Sequence, residues 1–193
     1  MTIQLQDRDY EIIQFLKEFK VADSKIIAEM FFSDCKNSVL VANRRLKKLT
    51  EAKKINRNVD RKILEGYLYY PRGISKPSNW KHSLEITRLY VNLVKKYQVV
   101  KCKREYEIRY SNGKLLRADL MAVLKVNGAL IPYLFEVDLK APYSYKYDNY
   151  ITNGYWKNKF PCPPTIVSIS RFKHVKSNCN VKLIPVDYEE LVL

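Results

Sequence analysis

Three acidic side chains, Asp119, Glu136 and Asp138, are the residues of this chain best placed to do chemistry. They fall within residues 115–140, LLRADLMAVLKVNGALIPYLFEVDLK, among Val, Leu, Ile and Phe. A carboxylate near apolar side chains loses hydration, so it needs a cationic partner, a metal ion or a route to solvent. Glu136 and Asp138 stand two residues apart, which on a strand puts both on one face, and Lys140 continues that face. Acids so grouped can hold Mg2+ or Mn2+, and a lysine beside them can activate water or stabilise developing charge. The other reading is a structural set neutralised by Lys101, Lys103, Arg104 or Arg117.

The element that must position these acids is a hairpin. Asn127-Gly128 separates two alternating apolar runs and supplies the positive φ angles of a two-residue turn. Ahead of it the pattern predicts an amphipathic helix over Trp80–Tyr97, with Leu84, Leu89, Val91, Leu93 and Val94 as its apolar side. His82, Glu85 and Arg88 recur at spacing three on another side. A strand near Val99–Arg109 and a turn at Ser111–Lys114 follow. After the hairpin, Pro142 precedes a Tyr-rich helix, YSYKYDNYITNGYWKNK, interrupted by Gly154. Thr165–Ser170 reads as a buried strand, Arg171–Ser177 as a short helix and Val181–Val186 as a last strand.

The first third has a different pattern. Residues 7–19 place Tyr10, Ile13, Phe15, Leu16 and Phe19 at helical spacing behind acids that suit a helix N-terminus. A break at Val21–Asp23 follows, and Asp23 or Ser24 can cap a second helix running to Phe31. A third helix spans about Ser38–Ala52, with Val39, Ala42, Leu46 and Leu49 on its apolar face. Two short strands around a basic turn at Val59–Lys62 complete this part. Helix, helix, helix and hairpin is the order of a winged helix-turn-helix. Residues 71–79, PRGISKPSN, carry the Pro, Gly and Ser of a linker. The expected organisation is therefore α+β: a winged helix-turn-helix over 1–72, a linker over 73–79 and an α/β domain over 80–193.

Charge narrows the partner. The 193-residue chain carries a formal +15, which favours a polyanion. From Arg44 to Lys62 nine Lys or Arg oppose two acids, so the basic density sits on the third helix and the wing. Those are the elements a winged helix places against groove edges and phosphates. Ser38, Val41, Arg44, Arg45, Lys47 and Lys48 are the candidate DNA contacts on the helix, with Arg57, Arg61 and Lys62 on the wing. No apolar run nears the roughly 20 residues that span a bilayer, and MTIQLQDRDY is too polar and acidic for a signal peptide. A cytoplasmic protein without a membrane partner is expected. The four cysteines form no CxxC pair and read as reduced structural thiols.

The second-half order, αβββαβ, resembles the nuclease core called PD-(D/E)XK. In that superfamily an Asp opens the second strand and a D/E-x-K on the third binds a divalent metal for phosphodiester cleavage. Asp119 in ADL stands at the first position and Glu136 in EVD at the second, seventeen residues on, with Asp138 in the Lys place. Glu85 matches the extra acid some members carry on the preceding helix.

Over most of its length the chain also resembles the replication-relaxation family of plasmids and integrative elements in Gram-positive bacteria. The resemblance rests on RDYEIIQFL, RRLKKLTEAKKI, the Trp and His opening the Trp80 helix, ADLMAVLKVNG and IPYLFEVDL. Members commonly read PDA where this chain has Ala118-Asp119-Leu120, and EVDRGT where it has residues 136–141 as EVDLKA.

These resemblances imply metal ligands Asp119, Glu136 and Glu85, with Mg2+ or Mn2+ as cofactor if the site cleaves. Asp138 would then be a further ligand or base, or a lysine would arrive from Lys140 or Lys146. Otherwise the domain keeps the fold for binding. Tyr143, Tyr145, Tyr147, Tyr150 and Tyr155 can stack on single-stranded bases or pack half-buried. The expected function is sequence-specific double-stranded DNA binding for a plasmid or mobile element, in replication, mobilisation or transcriptional control. The nuclease-like domain would add DNA, protein or homodimer contacts. The alternatives are a Mg2+-dependent endonuclease and an adaptor for replication or conjugation proteins.

Overall fold

Helix α1 (Asp7–Phe19) forms over the predicted span, but its buried side is Asp9, Ile12, Phe15, Leu16 and Phe19. Tyr10, expected on the apolar face, is exposed. Strand β1 (Ala22–Asp23) occupies what read as a break and leads into α2 (Ser24–Phe31). Asp23 caps α2 by accepting the Ile26 N–H at 2.8 Å, as its position suggested. Helix α3 (Ser38–Glu51) buries Ala42, Leu46 and Leu49. Val39 turns outward beside Leu40, correcting its expected place in the core. Strands β2 (Ile55–Asn58) and β3 (Leu68–Pro71) pair antiparallel, and β3 also pairs with β1, giving a three-stranded sheet in the order β1-β3-β2.

This computed structural model describes the chain except residues 1–3, 59–65, 110–112, 114, 140–143, 172–176, 178, 180, 187, 189–190 and 192. The expected basic turn at 59–62, Pro142, the helix at 171–177 and most of the turn at 111–114 therefore lie wholly or largely outside the described residues. The protein is a mixed α and β structure of two compact units, Met1–Val91 and Asn92–Leu193. The division falls inside α4 (Trp80–Lys96), and the expected linker 73–79 lies within the first unit.

The first part of α4 belongs with α1 for physical reasons. The Tyr90 ring stacks on Phe19 with centroids 4.4 Å apart, and the Thr87 hydroxyl lies 2.8 Å from Val21 O. Burial of such a ring contributes about 2 kcal/mol, and the hydroxyl satisfies a carbonyl beyond the end of α1. Ser83, Leu84, Ile86, Thr87, Leu89 and Val91 are all buried, so α4 is covered on more than one side. Val94, read as apolar material, is exposed.

The second unit is built on a five-stranded mixed sheet, ordered β4-β5-β6-β7-β8. Strands β4 (Gln98–Arg109), β5 (Leu115–Val126) and β6 (Ala129–Asp138) form an antiparallel meander. Asn127 and Gly128 have φ of 49° and 85°, the positive pair a two-residue hairpin turn requires. Strands β7 (Thr165–Ser170) and β8 (Val181–Pro185) add in parallel. The β6–β7 crossover is less helical than the Tyr-rich helix interrupted by Gly154 that was expected. It is a 3-10 turn (Ser144–Tyr147), a short α5 (Asp148–Thr152) and a second 3-10 turn (Tyr155–Asn158). Gly154, with φ of 68°, separates the last two. Tyr147 and Tyr150 from this crossover join Met121, Leu134 and Ile166 in the core.

Candidate functional site

Two groups of candidate side chains emerge, one in each unit. In the first, α3 packs inward through Ala42, Leu46 and Leu49 and sends the intervening residues out. Leu40, Arg44, Lys47 and Lys48 are exposed, and Ser38, Val41 and Asn43 are partly so. Leu40, Asn43, Arg44 and Lys47 recur at spacings of three and four, so they make one outward stripe. Lys47 lies 3.9 Å from Glu51 one turn on, an exposed pair that leaves its ammonium available.

Arg45 departs from its expected role. Its Nε donates to Asp9 Oδ1 at 2.6 Å, a second nitrogen bonds Asp9 Oδ2, and the same nitrogen reaches Gln4 O at 3.2 Å. Burial alone would raise the Asp9 carboxyl, but the Arg45 hydrogen bonds, the Gln6 N–H at 2.7 Å and the Arg45 charge outweigh it and hold the group below the usual range. Arg45 is thus a fork clamped on a buried acid rather than an outward DNA contact. A signal was present: Asp9 falls at helical spacing with Ile12, Leu16 and Phe19, and Arg45 lies between Ala42 and Leu49.

On β2, the Arg57 guanidinium sits 4.4 Å over the Tyr67 ring. Burial raises the Tyr69 phenol above its ordinary value, and the nearby Arg57 charge opposes that. The other wing candidates, Arg61 and Lys62, lie outside the described residues.

In the second unit the β5–β6 ladder explains how the acids meet. Met121 faces Leu134 across the hairpin, and both lie in the core with Tyr147. Two residues further along each strand, Asp119 and Glu136 share that face. The ladder ends at Leu120–Phe135, and beyond it the Asp119 carboxylate accepts the Val137 N–H at 2.9 Å. Lys146 Nζ lies 2.8 Å from Glu136 Oε2 and 2.8 Å from Arg117 O. The Tyr147 hydroxyl donates to Glu136 Oε1, and Ser168 Oγ donates to Asp138 Oδ2 at 2.5 Å.

Charge follows from this packing. Burial, reinforced by the neighbouring Asp119 charge, pushes the Glu136 carboxyl up to about 7, against the lowering effect of Lys146 and Tyr147. Burial and the charges of Glu136, Asp119 and Asp138 hold the Tyr147 phenol well above its ordinary value, so all three acids bear on one hydroxyl. Of the expected neutralising cations, Arg104 is buried, which lowers its value against the attraction first of Glu105 and then of Asp119. Lys101, Lys103 and Arg117 are exposed.

A divalent ion does not fit this donor set as it stands. Both Glu136 oxygens already accept bonds, and Asp119 and Asp138 each spend an oxygen on a protein donor. Among the described residues no group of three His, Cys, Asp or Glu can hold a metal. The fourth acid, Glu85, lies in the first unit, where Arg88 binds it at 2.7 Å and reaches Asp23 at 3.1 Å. Lys140 is outside the described residues; among the described residues Lys146 of the crossover bonds Glu136. Tyr147 and Tyr150 are fully buried and unable to stack on bases, and Tyr155 packs partly buried against the same core. Tyr143 and the Tyr145 side chain lie outside the described residues. Among those residues no helix is long and apolar enough to cross a membrane. Set against protein-family models, curated proteins and solved structures, the chain matches none.

Proposed function

We propose that the chain binds double-stranded DNA through α3. In this reading the first unit is a winged helix-turn-helix and the second a PD-(D/E)XK-like domain kept for binding. The observation that carries the proposal is the outward stripe of α3, with Arg44, Lys47 and Lys48 exposed beside a small antiparallel sheet. The order α1-β1-α2-α3-β2-β3 supports it, because a helix supported by a wing is the arrangement that enters a major groove. The net +15 supplies the attraction to phosphates. The β-meander followed by parallel strands, with Asp119 and Glu136 sharing a face, supports the second half. The resemblance of RDYEIIQFL, ADLMAVLKVNG and IPYLFEVDL to the replication-relaxation family supports a role for such binding in plasmid replication, mobilisation or their control. Engagement of every acid by a protein donor favours a scaffold over a metal-dependent nuclease.

A binding and a cleavage experiment together separate these readings. Fluorescence anisotropy with a labelled duplex, at physiological salt, should show the Arg44→Gln/Lys48→Gln variant binding about ten- to a hundredfold more weakly. Unchanged affinity in a folded variant removes α3 from the interface. The same protein incubated with supercoiled DNA and Mg2+ or Mn2+ should leave it intact. Cleavage that disappears in Asp119→Ala would install the endonuclease reading instead.

A further inference from the structure

We propose that Arg8 and Arg57 are backbone-phosphate contacts on the two flanks of α3, each guanidinium held ready by an aromatic ring. This rests on the DNA-binding reading above and gives that interface its anchors. Two open basic concavities lie beside α3. Arg8, Phe32, Val41 and Lys48 help line one, and Asn43, Lys47, Arg57 and Tyr67 help line the other. Arg44 lines both, so α3 stands between them.

The same device is built on each side. Arg8 Cζ lies 4.9 Å from the Phe32 ring centroid, and Arg57 Cζ lies 4.4 Å from that of Tyr67. Stacking fixes the plane of a guanidinium while leaving edge N–H groups for a ligand, and the planar fork matches two phosphate oxygens. Tyr69 lines the same concavity as Arg57 and Tyr67.

Local acids do not cancel these cations. Among the described residues the Arg57 concavity has no acidic lining. In the other, Asp9 is already taken by Arg45. Arg8 pairs at 3.2 Å with Asp34, but both side chains are well exposed, at 40% and 66%, so water screens the pair and a phosphate can displace it. A helix in the major groove runs between two rows of phosphates. Cations off its outward stripe, one per flank, are positioned for those rows rather than for base edges.

The test is the salt dependence of binding, by anisotropy, for Arg8→Gln, Arg57→Gln and the double variant. Each is measured on a random-sequence duplex and on the tightest-binding duplex found by selection, with folding checked by thermal melting. Each single variant should weaken both duplexes by the same factor, roughly tenfold. It should also flatten the slope of log K against log salt by about 0.9, and the double variant by about twice that. Arg57→Lys keeps the charge without the fork, so its slope should match the unmodified protein while affinity falls. It also serves where Arg57→Gln fails to fold. A loss confined to the selected duplex would assign these residues to base readout and overturn the proposal. Unchanged affinity and slope in folded variants would overturn it while leaving the α3 reading intact. Failure of the unmodified protein to bind any duplex overturns both.

Discussion

Asp9 and Glu136 are both buried carboxylates, 1% and 4% exposed, yet the protein settles their charge in opposite directions. Asp9 meets a planar fork and a backbone N–H, and these overcome burial. Glu136 meets one ammonium and one phenol, with a second carboxylate close by, and burial prevails. Low exposure alone therefore does not decide ionisation; depth of burial, the donors and the neighbouring carboxylate decide it together. A clamp as complete as that on Asp9 makes a fixed structural charge. The partial one on Glu136 leaves a carboxyl that titrates near neutrality.

The strongest way to break this contrast is Arg45→Ala. It leaves Asp9 charged and buried without its partner, and we expect a loss of about 3–5 kcal/mol in urea denaturation. A loss below about 1 kcal/mol, within the range of a surface pair, would show that the clamp is not structural. DNA affinity of this variant has meaning only where it stays folded.

The next largest effect is on pH dependence. Because the folded value for Glu136 is raised, the native state holds its proton over the window from 4.5 to about 7. Its contribution is therefore largest below that window and falls as pH rises through it, by about 3 kcal/mol in all. Asp9 has the opposite sign: its folded value is lowered, so its stabilisation is complete above the ordinary carboxyl range and fades as pH falls through the folded value. Denaturation midpoints for Glu136→Gln should lack the decline expected of the parent between pH 4.5 and about 7. Parallel curves for the two proteins would remove Glu136 as its source.

The smallest change sharpens the comparison. Tyr147→Phe deletes one donor to Glu136, for which we expect about 1–2 kcal/mol of destabilisation. It should also move the Glu136 titration, followed by side-chain NMR, still higher. A downward movement would mean the phenol favours the protonated acid.

Much of the architecture was readable because its signals are local. Asn127-Gly128 fixed the hairpin through two positive φ angles, Asp23 announced a helix cap, and helical spacing bounded α1. The Tyr-rich crossover is broken at Gly154 as its sequence suggested, but it is less helical than expected, because the sheet draws Tyr147 and Tyr150 inward at separate points. The pairing of Asp119 with Glu136 was legible from strand alternation around the turn. That Lys146 supplies the cation was one option among several, because a lysine's reach is set by how the crossover folds back over β6.

The sequence by itself determined most of the element types, the hairpin register and the concentration of positive charge between Arg44 and Lys62. These depend on neighbours a few residues away. Tertiary structure alone decided which charges are spent inside the fold. Arg44 and Arg45 are adjacent and chemically identical, but a helix turns about 100° per residue. One therefore faces solvent and the other is driven against Asp9, 36 residues earlier in the chain.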